Sequence, residues 1–240
     1  MEPRPKLLVE PFCGGATVSL TGVFERLIER CLMVELDRDV AAFWHCALRH
    51  GPELRELVER FEPTRENVNA LASEIPQNLI SHGFRTLVLN RTRRGGILAA
   101  GAALSRAGEN NKGVASRWYA ETLIKRLQDI EDRCDRIAFC EGDGMPALQA
   151  VAELPGTVAF VDPPYTAGGK RLYNHHALDH HTLFKTLAEA GIDFLMTYDR
   201  APEIIDLIGE FGFSAVQVVM KNTHHAKMSE LVISRRPLFA

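Results

Sequence analysis

The residues best equipped for chemistry stand at 158–165, Val-Ala-Phe-Val-Asp-Pro-Pro-Tyr. A short apolar, β-prone run brings Asp162, Pro163, Pro164 and Tyr165 to the carboxyl end of a predicted buried strand. Ligands of α/β sheets bind at that end. The Asp162 carboxylate accepts hydrogen bonds, and Pro163 offers a carbonyl as a second acceptor, so the pair can grip an amino group. The two prolines fix φ and restrict the residue before each of them, which stiffens the loop. Tyr165 adds a flat face for stacking on a ring. Taken alone, Asp-Pro-Pro also marks an ordinary turn.

Three further strand ends carry candidate ligand groups. The stretch 7–20 reads as a strand, a glycine turn and the start of a helix, with Glu10, Pro11, Phe12, Cys13, Gly14 and Gly15 at the turn. Glycines there permit positive φ and close approach of a ligand to the backbone, and the helix begins with exposed amides. A second strand at 31–37 ends in Glu35, about 20 residues after the glycines, the spacing at which α/β nucleotide folds set a carboxylate against ribose hydroxyls. Asp37 or Asp39 caps the next helix. A third strand at 137–144 ends in Asp143. A tight turn, a solvated acid and an Asp-Gly turn are the plainer alternatives for these three sites.

The segment 81–118 differs in character. It holds seven Lys or Arg (85, 91, 93, 94, 106, 112 and 117) against the single acid Glu109, in a chain whose formal net charge is -3. This is the charge pattern of a phosphate-binding face, with Arg91, Arg93, Arg94, Lys112 and Arg117 as nucleic-acid contacts and a solvated basic loop as the alternative. Lys170, Arg171 and Lys221 extend the same expectation. Gly108, Asn110, Asn111 and Gly113 suggest a loop that orders on DNA. Four histidines at 175, 176, 180 and 181 invite a metal, but they lack a cysteine or a clear i, i+4 pair, and no metal site is expected.

These groups need an α/β framework to hold them. At 240 residues the chain can bury a sizeable core. Its 46% hydrophobic and 25% charged content is ordinary for a globular protein. Five cysteines without a CxxC pair indicate neither a disulfide frame nor a zinc site, which fits a reducing cytoplasm. There is no apolar run of the ~18 residues a membrane span needs. Helical periodicity runs over 51–90, with Leu54, Leu57, Val58, Phe61, Val68, Leu71, Ile75, Leu79, Phe84, Leu87 and Val88 as core stripes. Ser116 looks like a cap for the helix that carries Leu123, Ile124, Leu127 and Ile130. A fifth strand at 194–199, a helix at 202–211 and a closing hairpin at 213–220 and 230–234 complete the sheet.

The tetrad and its strand resemble motif IV of the amino-methyltransferases, and the continuation Thr166-Ala-Gly-Gly-Lys170-Arg-Leu-Tyr173 resembles the Dam-like DNA adenine N6-methyltransferases. The glycine turn then matches motif I, with Glu10 where that family keeps an acid. The resemblance implies a Rossmann-like methyltransferase fold, with a mixed seven-stranded sheet flanked by helices. The catalytic domain would be 1–50 and 119–240, and 51–118 would be a helical and basic target-recognition insertion. It implies S-adenosylmethionine as cofactor, held by residues 10–15, Glu35, Asp143 and Asp162, and methylation of a flipped adenine in DNA, as in restriction-modification. A bacterial, phage or archaeal cytoplasm would be the setting.

One departure is large. Dam-like enzymes carry a Lys- and Gly-rich cofactor segment upstream of motif I, and nine residues precede Glu10 here. A shortened chain, a partner subunit that supplies the segment, or a DNA-binding protein without turnover would account for it. The tetrad specifies only an amino-group acceptor, so cytosine N4, RNA adenine and a protein amide stay open as substrates.

Overall fold

The computed structural model describes residues 4–99, 101–105, 113–164, 178–221 and 227–238. They form two compact units. One comprises the described residues up to 36 and from 136 onward, and the other spans 37–135. These boundaries lie outside the 51–118 range read from the sequence, because the helices Arg38–Arg49 and Ala120–Glu131 pack within the helical unit.

The first unit is a seven-stranded mixed sheet flanked by helices, the Rossmann-like methyltransferase fold. Its strands are β1 (Leu7–Glu10), β2 (Arg30–Glu35), β3 (Ile137–Glu141), β4 (Thr157–Val161), β5 (Asp193–Asp199), β6 (Ser214–Lys221) and β7 (Lys227–Ser234). They lie in the order β3-β2-β1-β4-β5-β7-β6. The five strands from β3 to β5 are mutually parallel. β7 runs antiparallel to both of its neighbours. β6 and β7 follow closely in the chain, whereas parallel neighbours need a crossover of a dozen or more residues.

Four helices serve as crossovers or cover: α1 (Thr17–Phe24) after β1, α7 (Gly144–Ala150) after β3, α8 (His180–Ala190) before β5 and α9 (Pro202–Phe211) after it. The core between sheet and helices holds Val9, Val161, Leu148, Phe184, Met196, Tyr198, Ile204 and Ile233, each buried. β5 shows the period that builds it. Phe194, Met196 and Tyr198 are buried, whereas Asp193, Leu195, Thr197 and Asp199 on the alternate positions are not.

The second unit is helical: α2 (Arg38–Arg49), α3 (Gly51–Arg60), α4 (Arg65–Ser73), α5 (Leu79–Thr92) and α6 (Ala120–Glu131). Asp37 caps α2, its carboxylate accepting from the Asp39 and Val40 amides. Pro52 opens α3 in the first turn, where its missing N–H costs nothing. Leu54, Val58, Val68, Phe84, Leu87, Val88, Leu123 and Leu127 form its core. Two expectations fail here. Ile75 is 81% exposed, since α4 has ended before it. Ser116 lies in a 3-10 turn over Gly113–Arg117, and α6 starts after Tyr119 with no side-chain cap.

Candidate active site

The position of the site follows from strand order. β1 connects through α1 to β2 on one side, while its other neighbour is β4, more than 140 residues later in the chain. In open α/β sheets the crevice outside the carboxyl ends of two such strands is where ligands bind. Glu10 ends β1, and Asp162 follows directly on β4. The two predicted motifs therefore meet at the switch point of the sheet.

At the end of β1 the chain turns sharply. Gly14 has φ +46° and Ala16 has φ +48°, so the left-handed positions are 14 and 16; Gly15 is not one. A β-carbon at Gly14 or Gly15 would meet nothing within 4 Å. The turn thus presents bare backbone to open space, which suits a ligand lying against it. Ala16 takes the N-cap position of α1 and has no side chain to satisfy the first amides. Glu10 performs that duty from the strand end: its Oε2 accepts the Ser19 N–H at 3.0 Å.

Glu10 is 3% exposed. Burial pushes its carboxyl up to about 7, opposed by hydrogen bonding from Ser19 and reinforced by the negative charge of Asp162. Cys13, next in the turn, is also buried, and burial together with Glu35 and Glu10 raises its thiol far above the usual range. It is an inert packing group rather than a nucleophile.

Glu35 ends β2 and accepts the Gly14 N–H at 2.8 Å. The carboxylate read from spacing as a ribose ligand therefore also holds the glycine turn. The backbone closes the same region, with the Cys13 N–H donating to the Val34 carbonyl at 3.0 Å and the Gly142 N–H to the Glu35 carbonyl at 2.8 Å. Asp143 caps α7, its Oδ1 accepting the Met145 N–H at 3.0 Å, and it is exposed. Beside it, a β-carbon on Gly144 would stand 2.2 Å from the Pro11 carbonyl oxygen. Only glycine lets α7 start that close to the β1 turn.

Asp162 is exposed, Pro163 is buried and Pro164 is half-buried. Asp162 Oδ1 accepts a hydrogen bond from the Thr197 hydroxyl at 2.5 Å. Thr197, Ser19 and Gly144 were not among the residues singled out from the sequence. Their signal was weak: each is a small residue inside or at the start of an ordinary strand or helix. Tyr165, Lys170 and Arg171 lie outside the described residues, as do Lys112 and the side chain of Lys221.

Three arginines of the basic segment make hydrogen bonds to backbone carbonyls. Arg91 donates through Nε and Nη2 to the Arg117 carbonyl at 2.8 and 2.5 Å. Arg117 returns bonds to the carbonyls of Arg91, Arg93 and Asn90, at 3.2 Å and 3.0 Å for the first two. Arg93 donates to the Leu98 carbonyl at 2.7 Å. These three half-buried guanidiniums tie the end of α5 to the backbone that follows it, whereas Arg94 is exposed. Of the residues expected to form a DNA-ordered loop, Gly108, Asn110 and Asn111 lie outside the described residues.

Among the described residues no group of three or more His, Cys, Asp or Glu is placed to hold a metal ion, and no helix is long and apolar enough to cross a membrane. His175 and His176 lie outside them. His180 and His181 instead reach Tyr198 at 2.6 Å and Glu210 at 3.0 Å.

No family model matches the chain, and no curated protein does. Among solved structures, it is similar to the tRNA methyltransferase TrmK of B. subtilis, with 8% identity, a TM-score of 0.44, and coverage of 98% of this chain and 62% of that one. It is also similar to the rRNA methyltransferase aviRa of Streptomyces viridochromogenes (17% identity, TM-score 0.40, 95% and 76% covered). A third is precorrin-6y C5,15-methyltransferase of Geobacter metallireducens (8% identity, TM-score 0.39, 98% and 81% covered). The chain thus spans less than two thirds of the TrmK chain.

Proposed function

We propose that this chain transfers a methyl group from S-adenosylmethionine to the N6 amino group of adenine in DNA, acting on a base flipped out of the stack. The observation that carries the reading is the meeting at one switch point of an exposed Asp162, followed by Pro163 and Pro164, with the bare glycine turn after β1.

The residues at the turn suit the cofactor. Open space beside Gly14 and Gly15 admits a ligand against the backbone. The acids Glu35 at the end of β2 and Asp162 just after β4 suit one that bears positive charge. Residues 10–15 would hold its methionine part, Glu35 its ribose and Asp143 its adenine amino group. Bound there, the cofactor supplies an electrophilic methyl carbon on a sulfonium centre.

The chain's own contribution is positioning and charge. Asp162 and the Pro163 carbonyl accept the two hydrogens of the target amino group, which aims the nitrogen lone pair. The Asp162 carboxylate also stabilises the positive charge that grows on that nitrogen. Pro163 and Pro164 keep the acceptors in one geometry, and Tyr165 stacks on the base. The helical unit, with exposed Arg94, supplies sequence-independent attraction to phosphates. Base flipping is required because the amino nitrogen cannot be reached inside a duplex.

The test is transfer of labelled methyl from S-adenosylmethionine into duplex DNA, single-stranded DNA and RNA of varied sequence, followed by nucleoside analysis. The expected product is N6-methyladenine in DNA. Label confined to RNA, or to cytosine, would move the substrate assignment, and no transfer to any of them would overturn it.

A further inference from the structure

The reading above leaves open what orients Asp162, and the inference here rests on that reading. β4 and β5 are parallel, with the pairs Val158↔Asp193, Ala159↔Phe194, Phe160↔Leu195 and Val161↔Met196. The next step of that register sets Asp162 opposite Thr197, and the Thr197 hydroxyl donates to Asp162 Oδ1 at 2.5 Å. A carboxylate has no proton to give, so the direction of this bond is fixed.

The torsion that swings a carboxylate is broad and roughly two-fold, so an exposed aspartate at a loop start has no intrinsic preference for one orientation. Thr197 does have one. It is β-branched and therefore stiff at χ1. It also sits in the middle of a strand whose flanking residues Met196 and Tyr198 are both 0% exposed. The hydroxyl is consequently a fixed point, and the carboxylate is the mobile partner. Oδ1 is engaged by the strand, and Oδ2 is the other oxygen of the carboxylate.

We propose that Thr197 is a positioning residue for Asp162, dividing the carboxylate into one oxygen held by the protein and one presented to the substrate amino group. Losing that alignment should slow transfer without weakening the cofactor, because small misplacements of a reacting group cost up to about 100-fold in rate.

The experiment compares wild type, Thr197→Val and Thr197→Ser, each alone and combined with Asp162→Asn. It reads the single-turnover methyl-transfer rate, the cofactor Kd by titration and the thermal midpoint. Valine keeps the shape and β-branching and removes only the hydroxyl; serine keeps the hydroxyl. The expected result is a rate loss of about 10- to 100-fold for Thr197→Val with cofactor Kd and thermal midpoint unchanged, and substantial recovery in Thr197→Ser. In the Asp162→Asn background the valine change should add little. A wild-type rate in Thr197→Val, equal losses in valine and serine, or an undiminished loss in the Asp162→Asn background would overturn the proposal. If wild type transfers no methyl, the function proposed above fails, and crystal structures still decide this point: one Asp162 orientation bonded to Thr197 in wild type and several in Thr197→Val supports it. A wild-type carboxylate turned away from Thr197 overturns it.

Discussion

Replacing Glu10 by Gln tests the electrostatics of the β1 end directly. The side chain is 3% exposed, accepts the Ser19 amide at 3.0 Å, and has its carboxyl pushed up to about 7 from 4.5. Between those two values the folded chain holds a proton that the unfolded chain has released. Stability from this group is therefore complete below pH 4.5 and is lost as pH rises through 7. Integrating that linkage gives a loss of about 2.5 kcal/mol between pH 5 and pH 8. Glutamine has nearly the same shape and does not titrate, and its side-chain oxygen can still accept from Ser19. The unfolding free energy of Glu10→Gln minus that of wild type should then rise by about 2.5 kcal/mol from pH 5 to pH 8, while other titrating groups cancel in the difference. Both tryptophans, Trp44 and Trp118, lie in the helical unit, so fluorescence reports on the wrong part of the molecule. Urea unfolding followed by far-UV circular dichroism at constant ionic strength, with amide exchange at Ser19, is the suitable assay. Parallel pH curves for the two proteins would refute the reasoning, because they would mean that burial does not keep Glu10 protonated.

Asp162→Ala should leave the thermal midpoint unchanged, since the residue is exposed, and should lower kcat about 100-fold or more by removing a preorganised charge; steady-state methyl transfer checks it. Gly144→Ala drives a β-carbon into the Pro11 carbonyl and should cost about 1 to 3 kcal/mol by overpacking, measured by chemical denaturation. Arg117→Ala strands the carbonyls of Asn90, Arg91 and Arg93 and should lower the stability of the helical unit by about 1 to 3 kcal/mol, seen in the Trp118 fluorescence transition. Arg94→Ala should leave that transition in place and lower the salt slope of DNA binding by about 0.9. An unchanged slope assigns Arg94 to solvent.

The sequence by itself determined the local features of this protein. Apolar β-prone runs ending in acids placed the ends of β1, β2 and β4, the spacing of Leu54, Val58 and Val68 marked helices, and Asp37 was legible as a cap, whereas β3 ends at Glu141, two residues before the acid read as its end. Each depends on residues within a turn or two of one another, where backbone geometry and side-chain chemistry act directly. Ile75 and Ser116 show the limit of that range, since Ile75 lies past the end of α4 and Ser116 before the start of α6.

The tertiary structure decided everything that joins distant strands. It set β1 beside β4, brought Glu35 to the Gly14 amide across 21 residues, and paired Asp162 with Thr197 across 35. It also turned Arg91 and Arg117 to each other's carbonyls across 26 residues, although their composition alone spoke for phosphates. Whether an acid is solvated or buried depends on which strand packs beside it, so the protonation of Glu10 is not written in its neighbours in sequence. Strand order and register are fixed by burying both faces of the sheet at once, and that condition applies only to the assembled chain.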